Sequence, residues 1–406
     1  MKRFAEKICL PGKYPAGYIP GADGLRVLCI LMVAWFHIWQ QSWLWPVFSI
    51  GKWKLSLVPE VRTGYLAVDL ILLLSGFLLA LPYARSLLHG DRLPEIGAFY
   101  RKRARRIVPS YYFAIFIALL YFLLSGGHYG SLRGAALDIV GHITFTQDLF
   151  YESYMGTKLN SALWTLAVEV QFYLLLPLFG RGFVKKPFIT WLAMTGTAFF
   201  YRFVYVMGLS DSSLYVNRLP AMLDVYANGM LAAVGYVYLK ERVRPKWWTG
   251  LLSTMTAILC LWGIVRLMRG QAEIQNDYQL IREGQMLRRF PLSVLGGVFL
   301  LAVSQASGWF QWLFSNRLVR FLSGISFQYY MWHSWIALRL KDIGIPASVA
   351  ELPNQAGEQP WQNRYTFLCF FISLVVAVIL TYCWEKPINQ LMTKLSERRQ
   401  DLGTHS

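Results

Sequence analysis

Arg26 and His37 stand eleven residues apart in one apolar run near the start of the chain. Eleven residues are three helical turns, so the two side chains leave nearly the same face of a helix. An imidazole titrates near neutrality and can take and return a proton, and a carboxylate beside it fixes its tautomer and raises its basicity. Two carboxylates are candidates for that partnership: Asp69, in Gly64-Tyr65-Leu66-Ala67-Val68-Asp69-Leu70, and Glu169, in Trp164-Thr165-Leu166-Ala167-Val168-Glu169. A second imidazole, His333, follows Tyr330-Met331-Trp332, and Asp224 opens another apolar stretch. Each has a plainer reading. A lone histidine in such a run commonly bonds one helix to another, Asp69 and Glu169 are also suited to pairing with Tyr, Trp or Arg, and Asp224 could face interfacial water. Ser75-Gly76 reads as a small-residue contact for close helix packing rather than as a nucleophile.

The elements that must carry these groups are transmembrane helices. Of the 406 residues 55% are hydrophobic and 15% charged, against about 25% charged in soluble domains. About 20 apolar residues cross a bilayer core. On that rule spans are expected near 24–44, 64–83, 109–125, 161–180, 187–208, 219–239, 247–268, 291–306, 318–338 and 365–384. The expected architecture is therefore an all-α, polytopic membrane bundle of about ten helices, forming one domain over residues 1–406. The segment 131–147 is expected to be interfacial or re-entrant. Lys and Arg are richer in the segments 1–20, 84–106, 181–186, 240–246, 317–320 and 386–399 than in the alternate loops, which places both termini in the cytoplasm. Lys2, Arg3 and Lys7 precede no apolar core before Pro11 and Pro15, so the first span is expected to act as its own insertion signal.

This topology gives the ionisable residues depths. A charge near the bilayer centre costs at least about 2.5–3.5 kcal/mol, so each needs a reason. Arg26 falls near the inner surface and His37 about 16 Å deeper. Asp69, Glu169, Asp224 and His333 fall between the midplane and the outer surface, and that convergence favours a site. The net charge of +18 resides in short loops, a pattern of topology determinants and lipid contacts rather than of nucleic-acid binding. The five cysteines form no CxxC or Cys/His cluster, so no metal site is expected. Facing the cytoplasm, Arg101-Lys102-Arg103-Ala104-Arg105-Arg106 exceeds what orientation requires. Arg103 and Arg106, three apart, suit a phosphate-bearing ligand, and Pro109 suits a first helical turn.

In this order the pieces resemble the bacterial acyltransferase-3 family of membrane O-acyltransferases. Gly24-Leu25-Arg26 with His37 is similar to that family's Arg-x10-His signature. Gly64 to Asp69 and Leu74-Ser75-Gly76-Phe77-Leu78 resemble its second-span motif, and Arg103/Arg106 its Arg-x-x-Arg motif. Leu163 to Tyr173, Phe321-Leu322-Ser323-Gly324-Ile325-Ser326 with His333, and Trp384-Glu385-Lys386-Pro387 resemble its later motifs. Thr165, Ala167 and Val170 depart from the family pattern, which leaves Glu169 as the one acid of its motif. Some members append a soluble esterase-like domain, and none is expected within these 406 residues.

The resemblance implies acyl transfer, usually acetyl, from cytoplasmic acyl-CoA to a hydroxyl of an extracytoplasmic or lipid-linked glycan at the cell membrane. His37 would be the general base or a transient acyl carrier, oriented by Asp69 or Glu169, with His333 as a second proton-transfer group. Arg26, Arg103 and Arg106 would hold the donor. The rival readings are a transporter using the same buried groups as a proton relay and an acyl-binding sensor without turnover.

Overall fold

The computed structural model describes residues 12, 14–15, 17–209, 211–244, 246–274 and 277–403. Lys2, Arg3, Lys7 and the expected insertion signal's basic flank lie outside the described residues. Among the described residues, ten helices of 20 residues or more follow in order: α1 Ala22–Ser42, α2 Ala67–His89, α3 Ile96–Leu124, α4 Trp164–Lys185, α5 Pro187–Met207, α6 Leu223–Arg242, α7 Trp247–Ala272, α8 Tyr278–Gln305, α9 Arg317–Asp342 and α10 Trp361–Leu380. The sheet among the described residues is one antiparallel hairpin, β1 Val47–Ile50 with β2 Trp53–Ser56. Gly51 turns it at a φ of 60°, a conformation that suits glycine.

Among the described residues, seven segments are long and apolar enough to cross a bilayer: α1, Gly64–His89, α3, Ser161–Lys185, α7, α8 and Trp361–Ser396. The protein is thus a multi-pass membrane protein. The other three expected spans also coincide with helices, α5, α6 and α9, but these carry Arg202, Asp224 with Asn228, and Gln328 with His333. Two boundaries shift. Helix α8 begins at Tyr278 rather than near 291, and α3 at Ile96 rather than near 109, because Arg, Lys and Glu lower hydropathy without breaking a helix. Pro109 consequently sits inside α3 instead of in its first turn; neighbouring packing satisfies backbone groups freed by a proline in a membrane helix. Within 131–147 lies one helix, Leu132–Ile143, whose 12 residues rise about 18 Å, well short of a bilayer core of roughly 30 Å.

The contacts divide the chain into two compact units. Unit one runs to Trp39 and includes Trp45–Leu93 and Val168–Gly324; unit two comprises Gln40–Leu44, Pro94–Ala167 and the chain from Ile325 onwards. In unit one, α2 and α6 share the most extensive helix contact. Glycines make it possible. A Cβ on Gly76 would stand 2.8 Å from the carbonyl oxygen of Tyr226, and one on Gly229 would overlap the carbonyl oxygen of Leu73. The small-residue reading of Ser75-Gly76 is thereby met at Gly76. Phe172 stacks on Tyr226 with ring centroids 3.7 Å apart, which brings α4 against α6. In unit two, Phe113 of α3 stacks on Trp384 at 4.4 Å, and the Tyr365 hydroxyl of α10 donates to the Ala337 carbonyl of α9 at 2.6 Å.

Gly229→Val should destabilise the protein by about 1–3 kcal/mol through overpacking. Gly196 of α5, where an added Cβ meets nothing within 4 Å, should accept alanine without loss. Thermal unfolding in detergent distinguishes the two. Equal melting temperatures for wild type and Gly229→Val would contradict the close approach of α2 and α6.

Candidate functional site

Arg26, His37, Asp69 and Glu169 belong to unit one; Arg103, Arg106 and His333 belong to unit two. Near the start of α1, the Arg26 guanidinium donates to Ser323 Oγ at 3.0 Å and lies 3.6 Å from Asp23. Ser323 in turn donates to Asp23 at 2.7 Å. The first and fifth motifs thus close into one polar clamp, and Gly24 permits it by lying against Phe314, which a side chain would strike.

His37 is half-buried, with its ring 5.3 Å from that of Phe36. Phe36 meets Tyr65 edge-on at 5.1 Å. Gly64 is pressed against the α1 backbone at Met32, where any Cβ would overlap the carbonyl oxygen. The start of the second motif therefore packs on α1 within a turn or so of His37.

Asp69, expected as one possible orienting partner of His37, is paired in the structure with Arg289. Its Oδ1 accepts from Arg289 Nε at 3.1 Å, while Oδ2 is buried without a hydrogen-bond partner. Arg289 and Asp69 are 0% and 1% exposed in their side chains, so this is a fully buried ion pair. The rest of the Arg289 guanidinium donates to the Val216 carbonyl and to Asn217 Oδ1. Beside it, Arg202 of α5 donates to both carboxylate oxygens of Asp224 and to the Ala221 carbonyl. Asp224 is completely buried rather than facing interfacial water. In a low dielectric an isolated charge is prohibitive, and pairing with satisfied hydrogen bonds is what permits burial. Asp69 reached the candidate set because its partner, placed by hydropathy in a loop before residue 291, lies in α8.

Glu169 is half-buried and accepts from Ser75 Oγ at 2.7 Å and from the Tyr173 hydroxyl. Its hydrogen bonds therefore go to the second motif and to its own helix rather than to His37.

In unit two His333 is completely buried. Its Nδ1 lies 2.7 Å from the Tyr330 carbonyl and 3.2 Å from that of Tyr329. Carbonyls only accept, so Nδ1 carries the proton, and in the neutral ring Nε2 is the basic nitrogen. The backbone here is tied to the fourth motif region: Thr165 donates to the Tyr330 hydroxyl at 2.7 Å, and Asn160 to the Met331 carbonyl at 2.9 Å. Thr165, a departure from the family pattern, keeps a hydroxyl at that bond.

Arg103 and Arg106 lie on α3, the former half-buried and the latter exposed. Arg103 stands over the Phe99 ring at 5.9 Å. Arg106 acts electrostatically on Glu385, which accepts from Gln328 at 2.9 Å; Gln328 also donates to Ser110 at 2.9 Å. Glu385 ends a π-helical turn, Thr381–Glu385, a local widening often found at functional sites. The Arg-x-x-Arg and Trp-Glu-Lys-Pro motifs thus meet in one unit, and the exposed cations there are suited to anionic phosphates. Among the described residues no cluster of three His, Cys, Asp or Glu suits a metal.

Sequence reasoning missed Arg289, Arg202, Ser323 and Gln328 as partners. Arg202 carried a usable signal, a charge inside an expected span that requires a counterion; Ser323 and Gln328 are common polar residues and carried none. It also missed Asp138 and His142, buried together with Nδ1 3.2 Å from the carboxylate. Burial pushes the Asp138 carboxyl up, but hydrogen bonds from His142 and the Lys158 amide outweigh it and hold it below its ordinary value.

The family described as "Acyltransferase domain" matches residues 19–383. A peptidoglycan O-acetyltransferase of Listeria monocytogenes is 24% identical, over 79% of this chain and 50% of its own length. A putative peptidoglycan O-acetyltransferase of Bacillus subtilis is 23% identical, over 91% and 55%. A putative acetyltransferase of Acidianus two-tailed virus is 25% identical, over 82% and 88%. The chain therefore spans about half the length of the two bacterial relatives. No solved structure matches.

Arg289→Met should destabilise the protein by about 3–5 kcal/mol, because it strands a buried carboxylate. Adding Asp69→Leu should restore much of that loss. Unfolding of the single and double variants in detergent measures the coupling; purely additive losses would argue that the pair is not a structural unit.

Proposed function

The chain belongs to the acyltransferase domain family, and from that premise we propose that it is a membrane O-acyltransferase. It moves an acyl group from cytoplasmic acyl-CoA to a hydroxyl of an extracytoplasmic or lipid-linked glycan. Acetyl is the acyl group and peptidoglycan the glycan of first choice, because those are the group and polymer that the names of its bacterial relatives carry. The topology is ten spans with both termini in the cytoplasm, which the basic segments favour.

The observation that carries the reading is the state of His37. Of the four acid–base candidates, Asp69 and His333 are completely buried, and Asp69 is matched to a cation. Glu169, half-buried like His37, accepts from Ser75 and Tyr173. His37 stays partly accessible on an apolar helix whose other polar end, Arg26, is hydrogen-bonded to Ser323. It takes the proton of the acceptor hydroxyl as that oxygen attacks the acyl carbonyl, or carries the acyl group itself between two transfers. In either case the coenzyme thiolate leaves and takes up a proton. Glu169 and its hydroxyl partners shape the polar surroundings; Asp69 supports the frame through Arg289. His333, locked in one tautomer, supplies a basic nitrogen for a second proton transfer. Arg103 and Arg106 hold the donor's phosphates, since guanidinium groups bind phosphate in a planar, two-pronged fashion.

Purified protein in detergent, given radiolabelled acetyl-CoA and peptidoglycan fragments, should form acetylated glycan. His37→Ala should lower that rate by about a hundredfold or more with an unchanged melting temperature. Full activity in the variant would overturn the assignment of His37. Arg103→Ala and Arg106→Ala should chiefly raise the KM for acetyl-CoA; an unchanged KM would return these residues to anchoring on anionic lipid.

A further inference from the structure

Unit one contains a cavity of about 230 Å³ walled by apolar side chains, among them Leu25, Met32 and Trp35 of α1, Leu70 of α2 and Met268 of α7. Its α1 wall runs from Leu25 to Trp35, ten steps and about 15 Å of rise, and so about half of a 30 Å hydrocarbon core. That is the depth of one leaflet. One wall residue is charged: Glu60, in the short helix Val58–Arg62. Its Oε1 accepts from Arg269 Nε at 2.6 Å, while Oε2 is buried with no hydrogen-bond partner.

The same short helix and the same end of α7 contribute their neighbouring residues to a second cavity of about 520 Å³, where Lys54, Arg62, Arg269, Ser56 and Glu273 gather. Arg269 is neutralised by Glu60. Among the described residues Lys54 and Arg62 enter no ion pair; Arg62 instead stands over the Trp39 ring at 5.9 Å. The hairpin that supplies Lys54 also presents Trp53, 84% exposed, and begins beside Trp45, 63% exposed. Exposed tryptophans alternating with lysines mark the headgroup level of a bilayer.

We propose that these two cavities form the binding site of one phospholipid of the surrounding bilayer. Its acyl chain fills the apolar cavity, and its phosphodiester sits between Lys54 and Arg62. A hydroxyl or ammonium of the headgroup satisfies the unpartnered oxygen of Glu60. Three features argue for a lipid over a free anion or a sugar. The wall is apolar to leaflet depth, the uncompensated cations stand only at its mouth, and the mouth lies beside an interfacial hairpin. A free phosphate would leave the apolar cavity empty, and a glycan would strand its hydroxyls there.

Native mass spectrometry of the detergent-purified full chain tests this with three probes: phosphatidylglycerol, the corresponding diacylglycerol and a long polyprenyl monophosphate. Expected is one retained phosphatidylglycerol per chain and no retained diacylglycerol. Two independent variants should each weaken retention by about tenfold or more. They are Lys54→Glu with Arg62→Glu at the mouth, and Leu28→Trp, which fills the cavity from a partly exposed wall position. Equal retention in both variants, or diacylglycerol bound as tightly as phosphatidylglycerol, would overturn the site. Displacement of phosphatidylglycerol by the polyprenyl phosphate at lower concentration would overturn the occupant. Because the variants lie on different elements, failure of one to fold leaves the other decisive.

Discussion

A charge placed in a membrane interior must be matched there, and unit one is organised around that constraint. Asp69 of α2 meets Arg289 of α8, and Asp224 of α6 meets Arg202 of α5. Each arginine spends its remaining donors on backbone or amide oxygens, Arg289 on residues 216 and 217 and Arg202 on residue 221. Four helices and the connection between α5 and α6 are thereby fixed by two pairs whose separation would leave a bare charge in low dielectric. Such pairs specify an arrangement more than they add net stability, because desolvation offsets most of the attraction.

Around these pairs the sequence motifs behave as mates rather than as separate signals. Arg26 of the first is clamped by Ser323 of the fifth. Gly64 and Ser75 of the second reach α1 and Glu169 respectively. In unit two, Thr165 reaches Tyr330, and the helix of Arg106 reaches Glu385 through Ser110 and Gln328. Each contact joins residues far apart in the chain by one or two hydrogen bonds or a glycine-sized gap. That geometry explains why small and polar residues occupy these positions in otherwise apolar helices: lipid-embedded helices gain little from hydrophobic contact with one another and rely on close approach and internal hydrogen bonds.

The division of labour among the ionisable groups follows. Groups that are wholly buried are already bonded: Asp69 to a cation, and His333 to its own helix backbone. His37, Glu169 and Arg106 retain accessible surface, as the roles proposed for them require. The π-helical turn ends at Glu385, which Arg106 faces electrostatically, a local widening of the kind often found at functional sites.

Much of the architecture was legible in the sequence, because apolar run length is a local property. Every expected span coincides with a helix, and the acyltransferase motifs are readable in order in the sequence. Residue type and spacing also single out His37, Arg103 and Arg106 as candidates. Partnership could not. Asp69 and Glu169 looked equally suited to hold His37, and only the fold committed one to Arg289 and the other to Ser75 and Tyr173. Helix α8 extends 13 residues beyond its hydrophobic stretch, so Arg289 was read as lying in a loop. Hydropathy reports where a residue prefers to be, whereas a buried ion pair depends on two residues 220 positions apart meeting at 3.1 Å. That meeting is decided by helix packing, which one chain read in order does not contain.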